Sequence, residues 1–432
     1  MRLLERNVMA KENQLIKIWE DFAFTRLLRT FRLSVGPSKM FTALAGIIII
    51  CFFGWLMDTC TKVSSNELNP PAAMKPGVAS VAEYATPSQW PMYKEKENTF
   101  FVLEEYSRSR GVFSTLWNFT AARFNVAVVS LLKWRLTDVF FNLWLCVISL
   151  VWAIKFHPFY SVIFLTFSAV IISLAGGAIC RAAALEFARR EKPGFTETIK
   201  FSWQKLGGFL AAPAIPVAIM VVAGSGITLL GLAGNIPDVG PIIIAAGFFA
   251  ALILGLFIAL FLVGTVIGSN LMFPAIAYEG SNGFDAISRA FAYAYAHPWA
   301  ATLYGLVASF YGAVSYLFIR FFAFLLLITT YTLLDIGIFG DKAGTDVLTK
   351  IWIKPEFFKL FRDNPEITLT SIESASAFII KLAVLTIVAL LIAFVISFYF
   401  CASTIIYSLM REKVDKIRPN DIYVHLDHIR DE

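Results

Sequence analysis

Long apolar stretches dominate this chain and limit what it can become. Phe41–Met57, Phe159–Cys180, Phe209–Ala233, Val239–Gly268, Trp299–Leu334 and Ala375–Met410 carry almost no charge. A helix satisfies its own backbone hydrogen bonds, so each can cross about 30 Å of hydrocarbon, a distance that takes about 20 residues. Apolar residues make up 58% of the chain and charged ones 16%. A soluble domain is nearer one half and one quarter, so the chain belongs in the membrane class. The expected architecture is an all-α polytopic membrane helix bundle of about six spans.

One stretch is echoed earlier in the chain. Phe273–Ala301 aligns without gaps on an upstream segment at an offset of 89 positions, which sets Gly283-Phe284 on Gly194-Phe195. At that offset Ala277 falls on Ala188, Asp285 on Thr196, Arg289 on Lys200 and Ala300-Ala301 on Ala211-Ala212. Apolar stretches flank both copies. Self-similarity of this kind predicts two related hairpin junctions.

Taken in order, residues 1–40 form a basic segment. Leu15, Ile18, Trp19, Phe22, Leu27, Leu28 and Phe31 recur at helical spacing between Lys17, Arg26, Arg29 and Arg32. That pattern suits an amphipathic helix on an anionic membrane surface or one packed on the protein itself. The first span, 41–57, follows. Residues 58–138 read as an extracytoplasmic loop with prolines at 70, 71, 76, 87 and 91, ending in an interfacial helix within Glu104–Trp134. The membrane core, 139–334, opens on some forty apolar residues broken only at Lys155-Phe-His157-Pro158. These are two spans with a tight turn, or an outer interfacial helix and one span. The bases from Arg181 to Lys205 prefer the cytoplasm, which selects a single span within Phe159–Cys180. Residues 335–374 form a second outer loop, 375–410 the last span and 411–432 a cytoplasmic tail that opens on Arg411, Lys413, Lys416 and Arg418. Both termini are therefore expected inside. Eight spans, splitting both 139–180 and 299–334, stay open.

Each junction has a definable local role. Gly194 and Gly283 are expected to allow the turn, and Thr196 and Asp285 to cap the helix that follows. Phe195 and Phe284 supply that helix with an apolar anchor, while Lys200 and Arg289 can reach lipid phosphates. The junctions read as re-entry devices that turn the chain back into the bilayer, or as a surface for a lipid head group or a membrane protein partner.

The pieces Ala277–Ala301, Ala188–Ala212 and Tyr407–Asp415 resemble a broad group of bacterial six-span membrane proteins of uncharacterised function. That group is related to the membrane domain fused to some glycerophosphodiester phosphodiesterases. The resemblance covers 159–415, the phosphodiesterase catalytic domain is absent, and the long outer segments depart from the compact pattern. It implies a bacterial inner-membrane bundle without known catalysis.

Residue chemistry points the same way. The four histidines are His157 and His297, each before a proline, and His425 and His428 in the tail. The last two, at a spacing of three, can hold a metal or lie in a solvated end. The five cysteines form no CxxC pair, and no phosphate loop, HExxH pair or GxSxG elbow occurs. Arg320 and Lys381 are the intramembrane charges that a transport path would use. The net charge of +6 gathers beside the apolar segments, so anionic lipid rather than nucleic acid is the expected partner. No cofactor is expected. The chain reads as a non-enzymatic scaffold or accessory subunit of the cell envelope, with a passive channel or transporter between the repeats as the alternative.

Overall fold

The computed structural model describes residues 25–63, 110–337, 347–360, 370–418 and 420–423, and nearly every element in them is a helix. The amphipathic pattern before residue 25, the proline-rich stretch 66–91 and the His425/His428 pair lie outside the described residues. A 3-10 turn, Thr25–Leu28, leads into α1 (Arg29–Ser34) and α2 (Pro37–Asp58). Two-residue strands β1 (Lys62–Val63) and β2 (Arg110–Gly111) pair antiparallel, with Lys62 opposite Gly111. Then come α3 (Val112–Leu132), α4 (Leu136–Phe156), α5 (Pro158–Arg189), α6 (Phe195–Gln204) and α7 (Leu206–Ala233). The rest are α8 (Gly240–Glu279), α9 (Gly283–Ala296), α10 (Pro298–Gly337), α11 (Val347–Ile351) and α12 (Ser371–Asp415).

His-Pro pairs place two of the boundaries. Proline excludes the preceding residue from the helical region and is itself well suited to a first helical position. His157 (φ −130, ψ 61) therefore ends α4 and Pro158 starts α5, while His297 (φ −139, ψ 66) ends α9 and Pro298 starts α10.

The fold is an all-α polytopic membrane helix bundle, with a different helix count from the one expected. Seven helices among the described residues (α2, α4, α5, α7, α8, α10 and α12) are long and apolar enough to cross a membrane. The seventh is α4, which the charge argument had assigned to an outer interfacial helix. The eight-span division fails at the other long segment, because α10 runs unbroken for 40 residues. At 1.5 Å per residue it is about 60 Å long and overshoots the hydrocarbon instead of turning within it.

The chain divides into two compact units. In the unit comprising 44–171 and 312–393, Val112, Leu116 and Phe119 of α3 meet Leu145, Trp152 and Ala153 of α4 and Tyr160 and Phe164 of α5. Asp58, the last residue of α2, holds the start of α3. Its carboxylate accepts the Phe113 amide at 2.8 Å, the Ser114 amide at 3.0 Å and the Ser114 hydroxyl at 2.6 Å. These orphan N–H groups carry the positive end of the helix dipole, so a carboxylate suits them. Gly111 makes this approach possible, since a Cβ there would lie 2.0 Å from Asp58 Cγ.

The other unit comprises 1–43, 172–311 and 394–432. Here α5 and α12 pack through small residues. A Cβ at Gly176 would meet the Phe400 ring at 2.4 Å, and one at Gly177 would meet Ser202 and Phe209 within 2.6 Å. Phe273 stacks on Phe209 and meets Phe400 edge-on, with centroids 5.2 and 5.6 Å apart. Buried Lys39 is neutralised by Glu186 at 2.5 Å, as a charge taken out of water requires.

Candidate functional site

Glu279 closes α8, and the next residue shows why the helix stops there. Gly280 takes the left-handed conformation (φ 61) that only glycine adopts without cost, and its N–H caps the carbonyl of Ile276 at 2.8 Å. Three further carbonyls at this helix end find donors from elsewhere in the chain. Arg181 donates to Ala277 O at 2.9 Å, the Tyr423 amide to Tyr278 O at 2.9 Å, and Lys205 to Gly280 O at 2.5 Å.

The Glu279 side chain is almost buried, and its two oxygens are fully engaged. Arg289 of α9 grips it with two nitrogens, at 2.7 and 3.0 Å. Tyr407 of α12 donates its phenol proton at 2.5 Å, and Arg411 Nε stands 3.5 Å away. Next to this cluster Tyr293 of α9 donates to the Asp415 carboxylate. Burial first, and then Asp415, push the Tyr293 phenol well above its ordinary pKa. Partial burial opposes the charge of Arg289, but the neighbouring Glu279 outweighs it and raises the guanidinium.

The tail lies over this end of the helices. Arg411 donates to the Asp421 carbonyl at 2.5 Å and Arg181 to the Tyr423 carbonyl at 2.9 Å. The Tyr423 ring sits where a Cβ on residue 280 would be, 2.5 Å from its nearest atom. Between tail and helix ends opens a cleft of about 490 Å³, whose charged lining is Arg189, Arg289, Arg411, Glu279 and Asp421. Stretches far apart in sequence thus meet at one place: the end of α5, the Ala277–Ala301 junction and the Tyr407–Asp415 run.

The residues expected to matter are distributed unevenly around it. Arg289 is in the cluster, bound to Glu279. Lys200, on α6, is exposed. Phe195 packs edge-on against Phe41, centroids 5.1 Å apart, whereas Phe284 stands 69% exposed and anchors nothing among the described residues. Thr196 and Asp285 are not the caps. The caps are Gly194 and Asn282, neither with a side-chain cap bond, because the two short helices start two and three residues earlier than the side chains suggested. The turn glycines also differ. Gly194 has φ −66, and the left-handed residue at the first junction is Arg190 (φ 61). Gly283 is needed for space, since its Cβ would lie 2.7 Å from the Gly208 carbonyl. Glu279 lies inside the repeated stretch Phe273–Ala301. Its apolar surroundings and the tyrosine that seeks it out gave no signal at any fixed spacing.

In the other unit, Arg320 is buried in protein. Nε donates to Phe357 O at 2.8 Å, one terminal nitrogen to Phe358 O at 2.7 Å, and the other to Asn125 Oδ1 at 3.0 Å and to the Tyr316 hydroxyl. Its guanidinium also lies over the Phe357 and Phe358 rings. The charge therefore ties α10 to α3 and to the segment after α11 and does not snorkel. Lys381, on α12 of the same unit, is half-buried.

Compared with protein-family models, with curated proteins and with solved structures, the chain has no match.

Proposed function

We propose that this chain is a non-catalytic integral membrane protein of the cell envelope, acting as a scaffold or an accessory subunit. The observation that carries this reading is the α7–α8 hairpin. The apolar window of α8 has no buried residue, and toward the hairpin turn its close contacts are with α7, as where Gly247 meets Leu230. Its outward faces are left for lipid or for another membrane protein. The charges support the same reading, since Asp58, Glu279 and Arg320 fasten helix ends and loops together and none is aimed at open space.

The two junctions are read as an internal duplication, each with a left-handed residue, a short amphipathic helix and a return into a long one. Basic residues around Arg190 and Lys413 support a reading in which the junctions and both termini lie on the cytoplasmic side of a bacterial inner membrane. Both ends inside demand an even number of crossings. In that reading α4 pairs with α3 on the outer side instead of crossing. Anionic lipid at the basic flanks is the second partner.

Purification from native membranes in mild detergent, followed by mass spectrometry, tests the scaffold. A stoichiometric membrane protein should travel with the chain. Recovery of the protein alone sinks the reading.

A further inference from the structure

We propose that the cleft bounded by Arg189, Arg289 and Arg411 binds a phosphate-bearing anion. Three guanidinium groups line it against two carboxylates, Glu279 and Asp421, so one positive charge is left over before any ligand enters. The carboxylate at its floor is saturated. Glu279 already takes two nitrogens of Arg289 and the Tyr407 hydroxyl, and Arg411 Nε stands 3.5 Å away as a charge partner without a hydrogen bond.

The basic residues have donors to spare. A guanidinium carries five N–H groups in a planar fork. Arg289 turns two nitrogens to Glu279, and Arg411 uses one on the Asp421 carbonyl. Arg189, exposed at the last position of α5, meets no acceptor among the described residues. Cations at helix C-termini often serve only to complement the helix dipole. Here that role is already filled for α8, because Arg181, Lys205 and two backbone amides serve its terminal carbonyls. The spare N–H groups therefore line the cleft with no acceptor among the described residues. Forked donors with surplus charge match the oxygens of a phosphate, and about 490 Å³ admits a head group or a free phosphate.

The site does not depend on the scaffold reading. The test uses the full-length protein, delipidated in a neutral detergent, with the thermal unfolding midpoint as readout. It is titrated with inorganic phosphate alone and with micelles doped with phosphatidylglycerol, using phosphatidylcholine as the uncharged-surface control. A rise with inorganic phosphate identifies a free anion as ligand, and a rise with phosphatidylglycerol only identifies a lipid head group. In either case Arg189→Gln should weaken binding about tenfold, the loss of one charge-assisted contact, while Lys200→Gln, an exposed charge outside the cleft, leaves it unchanged. No rise with either probe overturns the proposal, as does an equal response of R189Q and wild type. So does an equal loss in R189Q and K200Q, which would be surface charge alone. Partner recovery from native membranes should be the same for R189Q and wild type, which separates this outcome from failure of the scaffold.

Discussion

Tyr407 donates its phenol proton to Oε1 of Glu279 across 2.5 Å, tying α12 to the last residue of α8. The bond spans 128 positions of sequence and makes Glu279 the meeting point of α8, α9 and α12. An almost buried carboxylate that neutralises arginines is costly to remove, because the guanidiniums are then left partly desolvated without a partner.

Glu279→Ala should therefore lower stability by about 2–4 kcal/mol, at the low end for a buried pair because Arg289 is nearly half exposed. Tyr407→Phe removes one hydrogen bond to a charged group and should cost about 1–2 kcal/mol. The double variant should lose less than the sum, since both act on one network. Unfolding of the three variants in detergent measures the coupling, and strict additivity would count against it.

The cap at the other unit predicts a second set of costs. Asp58→Ala strips three acceptor contacts from the start of α3 and should cost about 1–2 kcal/mol. Asp58→Asn retains one acceptor oxygen and should recover part of that. Gly111→Ala should be worse than D58A, because its new methyl displaces the carboxylate altogether. Amide hydrogen exchange in the first turn of α3 reports each change directly.

Arg320→Met keeps a long apolar stem and deletes all the donors to Asn125, Tyr316 and the Phe357 and Phe358 carbonyls. The expected result is exchange at least about tenfold faster in 348–360, since loss of roughly 1.4 kcal/mol of local protection suffices. Arg320→Lys should rescue little of it, because a point charge cannot replace the fork. Unchanged exchange in R320M would show that the segment is held by its aromatic contacts instead.

Tyr293 sets a pH dependence whose sign is determined. An unfolded phenol ionises near about pH 10, whereas burial and Asp415 hold the folded one protonated beyond that. The folded state binds the extra proton, so this stabilising effect is complete below about pH 10 and is lost as pH rises through the raised folded value. Tyr293→Phe should flatten the alkaline fall in the unfolding midpoint above about pH 10. An equal slope in both proteins would mean that Tyr293 titrates like an exposed phenol.

The all-α membrane fold was legible in the chain because apolar length and helix punctuation are local properties. Pro158 and Pro298 start helices wherever they lie, and the Gly-Phe pairs at 194 and 283 do mark the entrances of short amphipathic helices. Seven helices are membrane-capable because α4 is as long and apolar as a span. The break at His157-Pro158 was legible, but charge bias reports only which side a loop prefers, not whether a helix before it is long and apolar enough to cross. Thr196 and Asp285 looked like caps because side-chain type suggests a cap, whereas packing of Gly283 against Gly208 sets where α9 begins.

Which charges matter was a tertiary decision throughout. Arg320, Asp58 and Glu279 are each one ionisable residue beside apolar neighbours, and composition cannot distinguish a snorkelling side chain from a fastener or a ligand. The distinction lies in partners contributed from tens to hundreds of positions away: Asn125 and the Phe357 carbonyl, the Phe113 amide, and Tyr407. By itself the sequence determined the helices, their apolar faces and the basic ends, since propensity and solvent transfer act residue by residue. Only the tertiary structure decided that three helix ends and the tail converge on Glu279, because a buried charge is stabilised by groups that folding alone brings within reach.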